Sequence, residues 1–307
     1  MSTNPVSTLT APRPPVDIAS LNTFLGLVGS YAEDWIFGVG PDKPLFHYSD
    51  LGGLLGILSN QDLWLSHSRF SNDEQELNHG YGVAKRLIES MKTDNPSPDW
   101  PVYLDRLAER LGQPPSEGVY ICCFCKKDNL LSQWRGYTAN GNGVSIRLQP
   151  SRFDVVTGPD SPHNGLMRLW KTFYDAATQE NILRTAIQFG FTSAIDRELG
   201  ATRAADAIEF FIPTFKNADF KEEDECRLIF SPPPNCPVRP SFRIARGMLV
   251  PYYSLKALSG NRQLPITGIT VGPSPNRAIN VESVRIMLAA YGYSGVIVEA
   301  SPTPYRA

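Results

Sequence analysis

The residues best suited to chemistry in this sequence lie in the stretch FKEEDECRLIF, from Phe220 to Phe230. Successive side chains of a β-strand alternate between its two faces. One face of a strand here would carry Glu223, Glu225 and Arg227, and the other only Cys226, Leu228 and Phe230. Two close carboxylates push their pKa values apart, so one can stay ionised and stabilise a cation, or act as a base. The alternative is a solvated strand edge whose ion pairs contribute about 0–1 kcal/mol.

Two further motifs place polar side chains beside predicted helices. In FHYSD, His47 and Tyr48 end a predicted strand before an apolar helix, and they offer a proton donor and acceptor and a flat stacking face. In FSNDEQE, Asn72 and Asp73 are predicted either to cap the next helix or to bind the hydroxyls of a ligand. A packed aromatic and an ordinary cap are the alternatives that require no ligand.

The segment SQWRGYTANGNG contains Ser132, an aromatic pair and two glycines ahead of a predicted strand. Trp134 and Tyr137 are three residues apart and can share a helix face, where such pairs usually belong to the core. The two glycines would allow close approach of a backbone to a ligand. The pattern differs from GxGxxG and precedes its strand, so it does not indicate a Rossmann phosphate loop.

The elements that would position these residues predict an α+β fold, because strands and helices mix without a regular βαβ rhythm. We expect a disordered lead over residues 1–16 and a single domain over 17–307, with a helical insertion at about 175–217 that is either a lid or core helices. GVYICCFC is apolar on both faces, which is typical of a central strand. Other strands are predicted at KPLFHY, DLWLSH, Val144–Leu148, LMRLWKTFY, MLVPYY, ITGITVG and GVIVEAS.

Bulk composition excludes several classes of protein. The net charge of −2 and the pI of about 6.1 give no indication of a polyanion-binding protein. No apolar run approaches the roughly 18 residues of a membrane span, and the start of the chain lacks the pattern of a secretory signal. The five cysteines are an odd number, three of them lie in one apolar run, and that cluster has no second pair to complete a zinc site. They predict reduced thiols in a cytoplasmic protein and no metal site.

These motifs occur together and in order, and as a set they resemble DUF2971, a family of mostly unassigned function. The resemblance covers residues 44–306. It rests on FHYSD, LWLS before FSNDEQE, CFC before LLSQWRGYTANGNGVSIRL, FKEEDECRLIF, ITGITVGP and SPTPYR.

The layout also resembles the ADP-ribosyltransferase superfamily, at a greater distance. That resemblance implies an ADP-ribosyltransferase-like core of two packed, curved β-sheets with helical insertions, and NAD as co-substrate. It implies that Glu225 stabilises the oxocarbenium ion and that Glu223 orients the acceptor, which would be a nucleic acid base, a protein side chain or water. It also implies a role as a bacterial toxin or phage-defence effector. The implied NAD-binding residues are His47, Tyr48, Asn72, Asp73, Ser132, Tyr137 or Trp134, and Arg227.

Two other functions stay open from the sequence alone. The first is a metal-dependent nuclease, in which Asp73, Glu76, Glu223 and Glu225 would supply oxygen ligands to Mg²⁺. The second is a non-catalytic module that binds NAD or a related nucleotide without turning it over.

Overall fold

The computed structural model describes residues 16–28, 43–70, 76–112, 118–138, 141–152, 167–245, 247–259 and 263–304. Asn72 and Asp73 lie outside these residues, as do nearly all of the predicted N-terminal lead and the side chain of Glu76. The predictions that concern them therefore remain predictions.

The described chain is a mixed α+β structure, as predicted. Its α-helices are α1 (Ile18–Leu27), α2 (Leu51–Asn60), α3 (Glu76–Ser90), α4 (Asp99–Leu111), α5 (Leu131–Tyr137), α6 (Ala176–Ser193), α7 (Arg197–Phe211), α8 (Leu255–Ser259) and α9 (Arg277–Ala290). Its strands are β1 (Leu45–Asp50), β2 (Trp64–His67), β3 (Tyr120–Cys125), β4 (Gly143–Leu148), β5 (Met167–Lys171), β6 (Glu225–Phe230), β7 (Ser241–Ala245), β8 (Met248–Ser254), β9 (Ile266–Val271) and β10 (Ile297–Ala300). None of the helices in the described ranges is both long and apolar enough to span a bilayer.

Strand β3 is the junction of the sheet, and its central position was predicted from its apolar sequence. One edge of β3 pairs along its whole length with β6, which in turn pairs with β5. The other edge is shared, since β1 pairs at Cys125 and β2 pairs at Tyr120 and Ile121. From this edge one arm continues through β4, β9 and β10, and the other through β8 and β7. The two arms therefore diverge beside the middle of β3.

Two large apolar cores cover the sheet in the described residues. Cys226, Leu228 and Phe230 lie together in the core that includes side chains of α2 and α9, as the alternation of the sequence predicts. The second core is formed by helices α1, α3, α4, α6 and α7, and Trp170 of β5 packs into it. Segment 175–217 supplies buried side chains throughout this helical core, so α6 and α7 are core helices and not a lid.

The stretch from Phe220 to Phe230 is not one strand. Residues 218–223 form a 3₁₀ helix whose first turn is capped by the side chain of Asn217. Asp224 then takes a left-handed conformation with φ of 44°, and the strand begins only at Glu225. Every residue of β6 is buried, so the solvated-edge alternative is wrong.

Two local features differ from the sequence prediction, which placed the N-cap of α2 at Ser49 and no strand at Ser241–Ala245. The cap of α2 is Asp50, whose side chain accepts the backbone N–H of Gly53 at 2.6 Å, because β1 continues through Ser49. Strand β7 was not predicted. It is a short edge strand with mostly exposed residues, so its sequence lacks the apolar alternation of a half-buried strand.

The contact between α6 and α7 should tolerate no added methyl group. A Cβ atom at Gly190 would lie 2.5 Å from the carbonyl oxygen of Gly200 and 2.6 Å from the hydroxyl of Tyr103. We expect Gly190→Ala to lower the free energy of unfolding by about 1–3 kcal/mol through overpacking. Gly56→Ala in α2 is the control, since nothing lies within 4 Å of its Cβ position, and it should be neutral or stabilising by about 1 kcal/mol. Equal effects of the two substitutions in urea unfolding would contradict this packing.

Candidate functional site

A cavity of about 90 Å³ lies beside β1, β3, α5 and the start of β6. It gathers five of the residues that the sequence predicted for a site, from segments far apart in the chain. Its lining consists of Phe46, His47, Tyr48, Cys123, Phe124, Cys125, Gln133, Tyr137, Glu223 and Glu225.

The two glutamates belong to a cluster of four charged side chains. Oε2 of Glu225 lies 2.8 Å from Nη2 of Arg227 and 3.1 Å from Nζ of Lys216. The same ammonium of Lys216 lies 2.6 Å from Oε2 of Glu223. Arg227 also donates from Nη1 to the carbonyl oxygen of Pro213 at 2.7 Å. Two carboxylates and two cations make this cluster formally neutral.

The neighbouring cations keep Glu225 ionised despite its burial. Desolvation by itself raises the pKa of this carboxyl, but Arg227 and Lys216 outweigh it and bring the pKa down to about 2. The thiol of Cys123 also acts in this direction by donating a hydrogen bond to the carboxylate. Glu225 is therefore a fixed anion at neutral pH and a weak proton acceptor.

His47 occupies the place where β1 and β3 separate. Its Nδ1 lies 2.9 Å from the carbonyl oxygen of Cys123, which can only accept, so Nδ1 carries the proton of that hydrogen bond. Burial lowers the pKa of His47 below its usual range, although this hydrogen bond opposes the effect. The imidazole is thus neutral at pH 7, and its Nε2 is a hydrogen-bond acceptor.

The two aromatic residues of α5, of which either was predicted to stack on the ligand, differ in exposure. Trp134 is fully buried in a small core with Phe46 and Tyr48, so it cannot stack on a ligand. Tyr137 is 38% exposed and lines the cavity, which leaves it as the stacking candidate. The hydroxyl of Tyr48 donates to the carbonyl of Lys127 and accepts the N–H of Leu130. Tyr48 therefore forms part of the cavity wall and also anchors the loop that leads into α5.

Ser132 does not line the cavity, so its predicted role in NAD binding stays a prediction. Its Oγ donates to Oε1 of Glu222 at 3.3 Å, outside the cavity lining. The next residue, Gln133, is buried and faces the cavity in its place. Both residues lie in the first turn of α5, and it is Gln133, not Ser132, whose side chain lines the cavity.

Sequence reasoning missed Lys216 and Tyr174, which hold the glutamates in place. The backbone N–H of Glu225 donates to the hydroxyl of Tyr174 at 3.0 Å. The carbonyl of Lys216 accepts a hydrogen bond from the side chain of Gln179 at 2.9 Å, which fixes its backbone against α6. Neither Lys216 nor Tyr174 belongs to a recognisable sequence motif. Arg227 was the only residue in the motifs that indicated a cationic partner for the carboxylates.

The charge arrangement is a poor match to the magnesium alternative. Glu223 and Glu225 already share the ammonium of Lys216, so a metal bound by both would have to displace it. Within the described ranges, no three side chains of His, Cys, Asp or Glu are grouped as metal ligands would be.

Comparison with known proteins identifies a family over part of the chain. Residues 133–228 match DUF2971, described as a protein of unknown function. The predicted resemblance to DUF2971 is thereby confirmed over about a third of the 307 residues. The matched segment contains the glutamates, Arg227, Lys216 and Tyr137, whereas His47 lies outside it. No curated protein and no solved structure matches the chain.

The low pKa of Glu225 predicts a specific loss of stability in acid. A carboxyl with a depressed pKa stabilises the fold above its ordinary pKa of 4.5, and this contribution is lost as the pH falls through its folded pKa of about 2. At pH 7 we expect Glu225→Gln to cost about 3–5 kcal/mol, because it leaves buried cations without their anion. Between pH 4.5 and pH 2 the gap to the wild type should shrink by about 3 kcal/mol.

Urea unfolding across this pH range measures the effect. Glu222→Gln is the control, since it changes an exposed carboxylate next to the site. A gap between wild type and Glu225→Gln that stays constant down to pH 2 would show that Glu225 is not held ionised.

Proposed function

We propose that this protein binds NAD with its nicotinamide end at the cavity, cleaves the nicotinamide–ribose bond and transfers ADP-ribose to an acceptor. The observation that carries the proposal is the convergence of His47, Tyr137, Glu223 and Glu225 on one cavity. These residues come from β1, α5, the 3₁₀ helix before β6 and the first position of β6, and each has the chemistry that the bond cleavage needs.

Cleavage breaks the C1′–N bond, and both electrons leave with nicotinamide, which departs as a neutral molecule. Positive charge then develops on the ribose, and a preorganised anion stabilises it where it forms. The cavity offers two carboxylates for this role: Glu225, which is ionised and held in place by Arg227 and Lys216, and Glu223, which shares Lys216 with it. The nucleophile of the acceptor completes the reaction by forming a new bond to C1′.

Other residues of the cavity can bind the ribose and the nicotinamide, the two groups that the cleaved bond joins. The acceptor nitrogen Nε2 of His47 can receive a hydrogen bond from a ribose hydroxyl, because Nδ1 holds the proton. The exposed ring of Tyr137 can stack on nicotinamide. The side-chain amide of Gln133 is a further polar group in the lining.

The size of the cavity defines which part of NAD it can hold. Sites for drug-sized ligands have volumes of roughly 300–1,000 Å³, and a cavity of roughly 150 Å³ holds benzene. A volume of about 90 Å³ admits no more than the end of one small ring. The ribose would therefore lie at the mouth of the cavity, within reach of its lining, and the phosphates and adenine would lie outside it.

The divergence of the sheet supports the architecture that the resemblance implies. Because β1 and β2 leave the same edge of β3, the sheet opens into two arms, in line with a core of two curved sheets. The nature of the acceptor, as a nucleic acid base, a protein side chain or water, and a role as toxin or defence effector follow from the resemblance alone.

Release of nicotinamide from NAD by the purified protein tests the proposal. Tyr137→Ala removes the stacking ring, so we expect its KM for NAD to rise about tenfold or more, since stacking on an aromatic ring contributes about 1–3 kcal/mol. Tyr137→Phe keeps the ring and should behave as the wild type.

Two outcomes would contradict the proposal. If the wild type neither releases nicotinamide nor binds NAD in isothermal titration, the NAD site is wrong. Saturable binding without release in the presence of protein and nucleic acid acceptors would instead favour the nucleotide-sensing module.

A further inference from the structure

The two glutamates of the cavity differ in burial and in the number of contacts that hold their side chains. Glu225 is buried, with 6% of its side chain exposed, and one of its oxygens contacts both Arg227 and Lys216. Its backbone N–H is held by Tyr174, and Cys123 donates to its carboxylate. Its position on β6 gives it no freedom to follow a ligand, because β6 is paired on both edges.

Glu223 occupies a more accessible position in the same lining. Its side chain is 18% exposed, three times the value for Glu225. It ends the 3₁₀ helix just before the sheet, and its carbonyl accepts a hydrogen bond from the thiol of Cys125 at 3.1 Å. The main chain of Glu223 is thus fixed while its carboxylate lies on the open side of the charged cluster.

Lys216 connects the two carboxylates and is itself rigidly placed. Its N–H donates to the carbonyl of Phe173 at 3.1 Å, and its own carbonyl accepts from Gln179. Only 4% of its side chain is exposed, and its ammonium lies 5.1 Å from the ring centre of Phe220. The buried ammonium lies 2.6 Å from the carboxylate of Glu223 and 3.1 Å from that of Glu225. It therefore fixes the position of the more exposed carboxylate relative to the buried one.

We propose that Glu223 is the carboxylate that contacts the ribose during NAD cleavage, and that Lys216, anchored by Glu225, is the residue that positions it. This inference rests on the proposed function and reverses the roles that the sequence suggested for the two glutamates. Glu225 and Arg227 then serve to hold Lys216, and Glu223 faces the charge that develops on C1′.

The experiment combines steady-state kinetics of nicotinamide release with urea unfolding. Its test variants are Glu223→Gln, Glu225→Gln and Lys216→Ala, and two further variants are controls. Glu223→Gln should lower kcat by about 100-fold or more, as does loss of one preorganised group at a charged transition state, and should lower the urea midpoint less than Glu225→Gln does, because its side chain is more exposed. Glu225→Gln should lower the urea midpoint markedly and, under conditions where it is folded, reduce kcat less than Glu223→Gln. Glu222→Gln and Lys221→Ala change exposed neighbours and provide matched controls for the carboxylate and the ammonium.

Lys216→Ala tests whether Lys216 positions Glu223 or only stabilises the fold, because rescue of kcat by an added amine is expected only in the first case. Its kcat should fall with little change in KM, and added ethylammonium should restore part of it, because a small amine can fill the vacated space between the carboxylates. The same amine should have no effect on Lys221→Ala.

The possible outcomes distinguish failure of this inference from failure of the proposed function. If the wild type releases no nicotinamide, the proposed function fails and this division of roles fails with it. If the wild type is active but folded Glu225→Gln loses more kcat than Glu223→Gln, or ethylammonium gives Lys216→Ala no recovery, the function stands and the division of roles is wrong. Should Glu225→Gln not fold, Glu223→Gln and the amine experiment decide the question.

Discussion

The burial of Arg227 in the middle of the sheet is the constraint on which the rest of the structure depends. A guanidinium without solvent exposure requires an anion and further acceptors, since an unpaired buried charge costs several kcal/mol. Glu225, two residues earlier on the same face of β6, supplies the anion, and the carbonyl of Pro213 supplies an acceptor from the end of the helical core. The central strand, the helical core and the cavity are therefore joined through one charged side chain.

This arrangement also explains how the carboxylate of Glu225 stays ionised beside the cavity. Glu225 shares Lys216 with Glu223, so the cluster stays neutral as a whole while individual charges persist. Desolvation and the cations act in opposite directions on Glu225, and the cations prevail. A protein that must meet a transient positive charge benefits from such anions, because their orientation is set before the ligand arrives.

Parts of the fold could be predicted from the sequence where the order of apolar and polar residues indicates which side chains are buried. The apolar run of β3 indicated its central place, and the alternation of β6 indicated which face carries Cys226 and which carries Arg227. The exposure of Tyr137 and the burial of Trp134 could not be predicted, because both depend on what packs against α5. Lys216 has no local signature, since its role comes from contacts across the turn that ends in Asp224, whose left-handed backbone is likewise unmarked in the sequence.

The most direct test of the central claim, that this cavity receives the nicotinamide end of NAD, is the rate at which iodoacetamide modifies Cys123. Cys123 lines the cavity, and Cys236, a half-buried thiol in the loop after β6, is an internal reference. Peptide mass mapping gives both rates in one sample. We predict that millimolar NAD or nicotinamide slows modification of Cys123 and leaves Cys236 unchanged. Equal rates for Cys123 with and without either ligand would contradict the account.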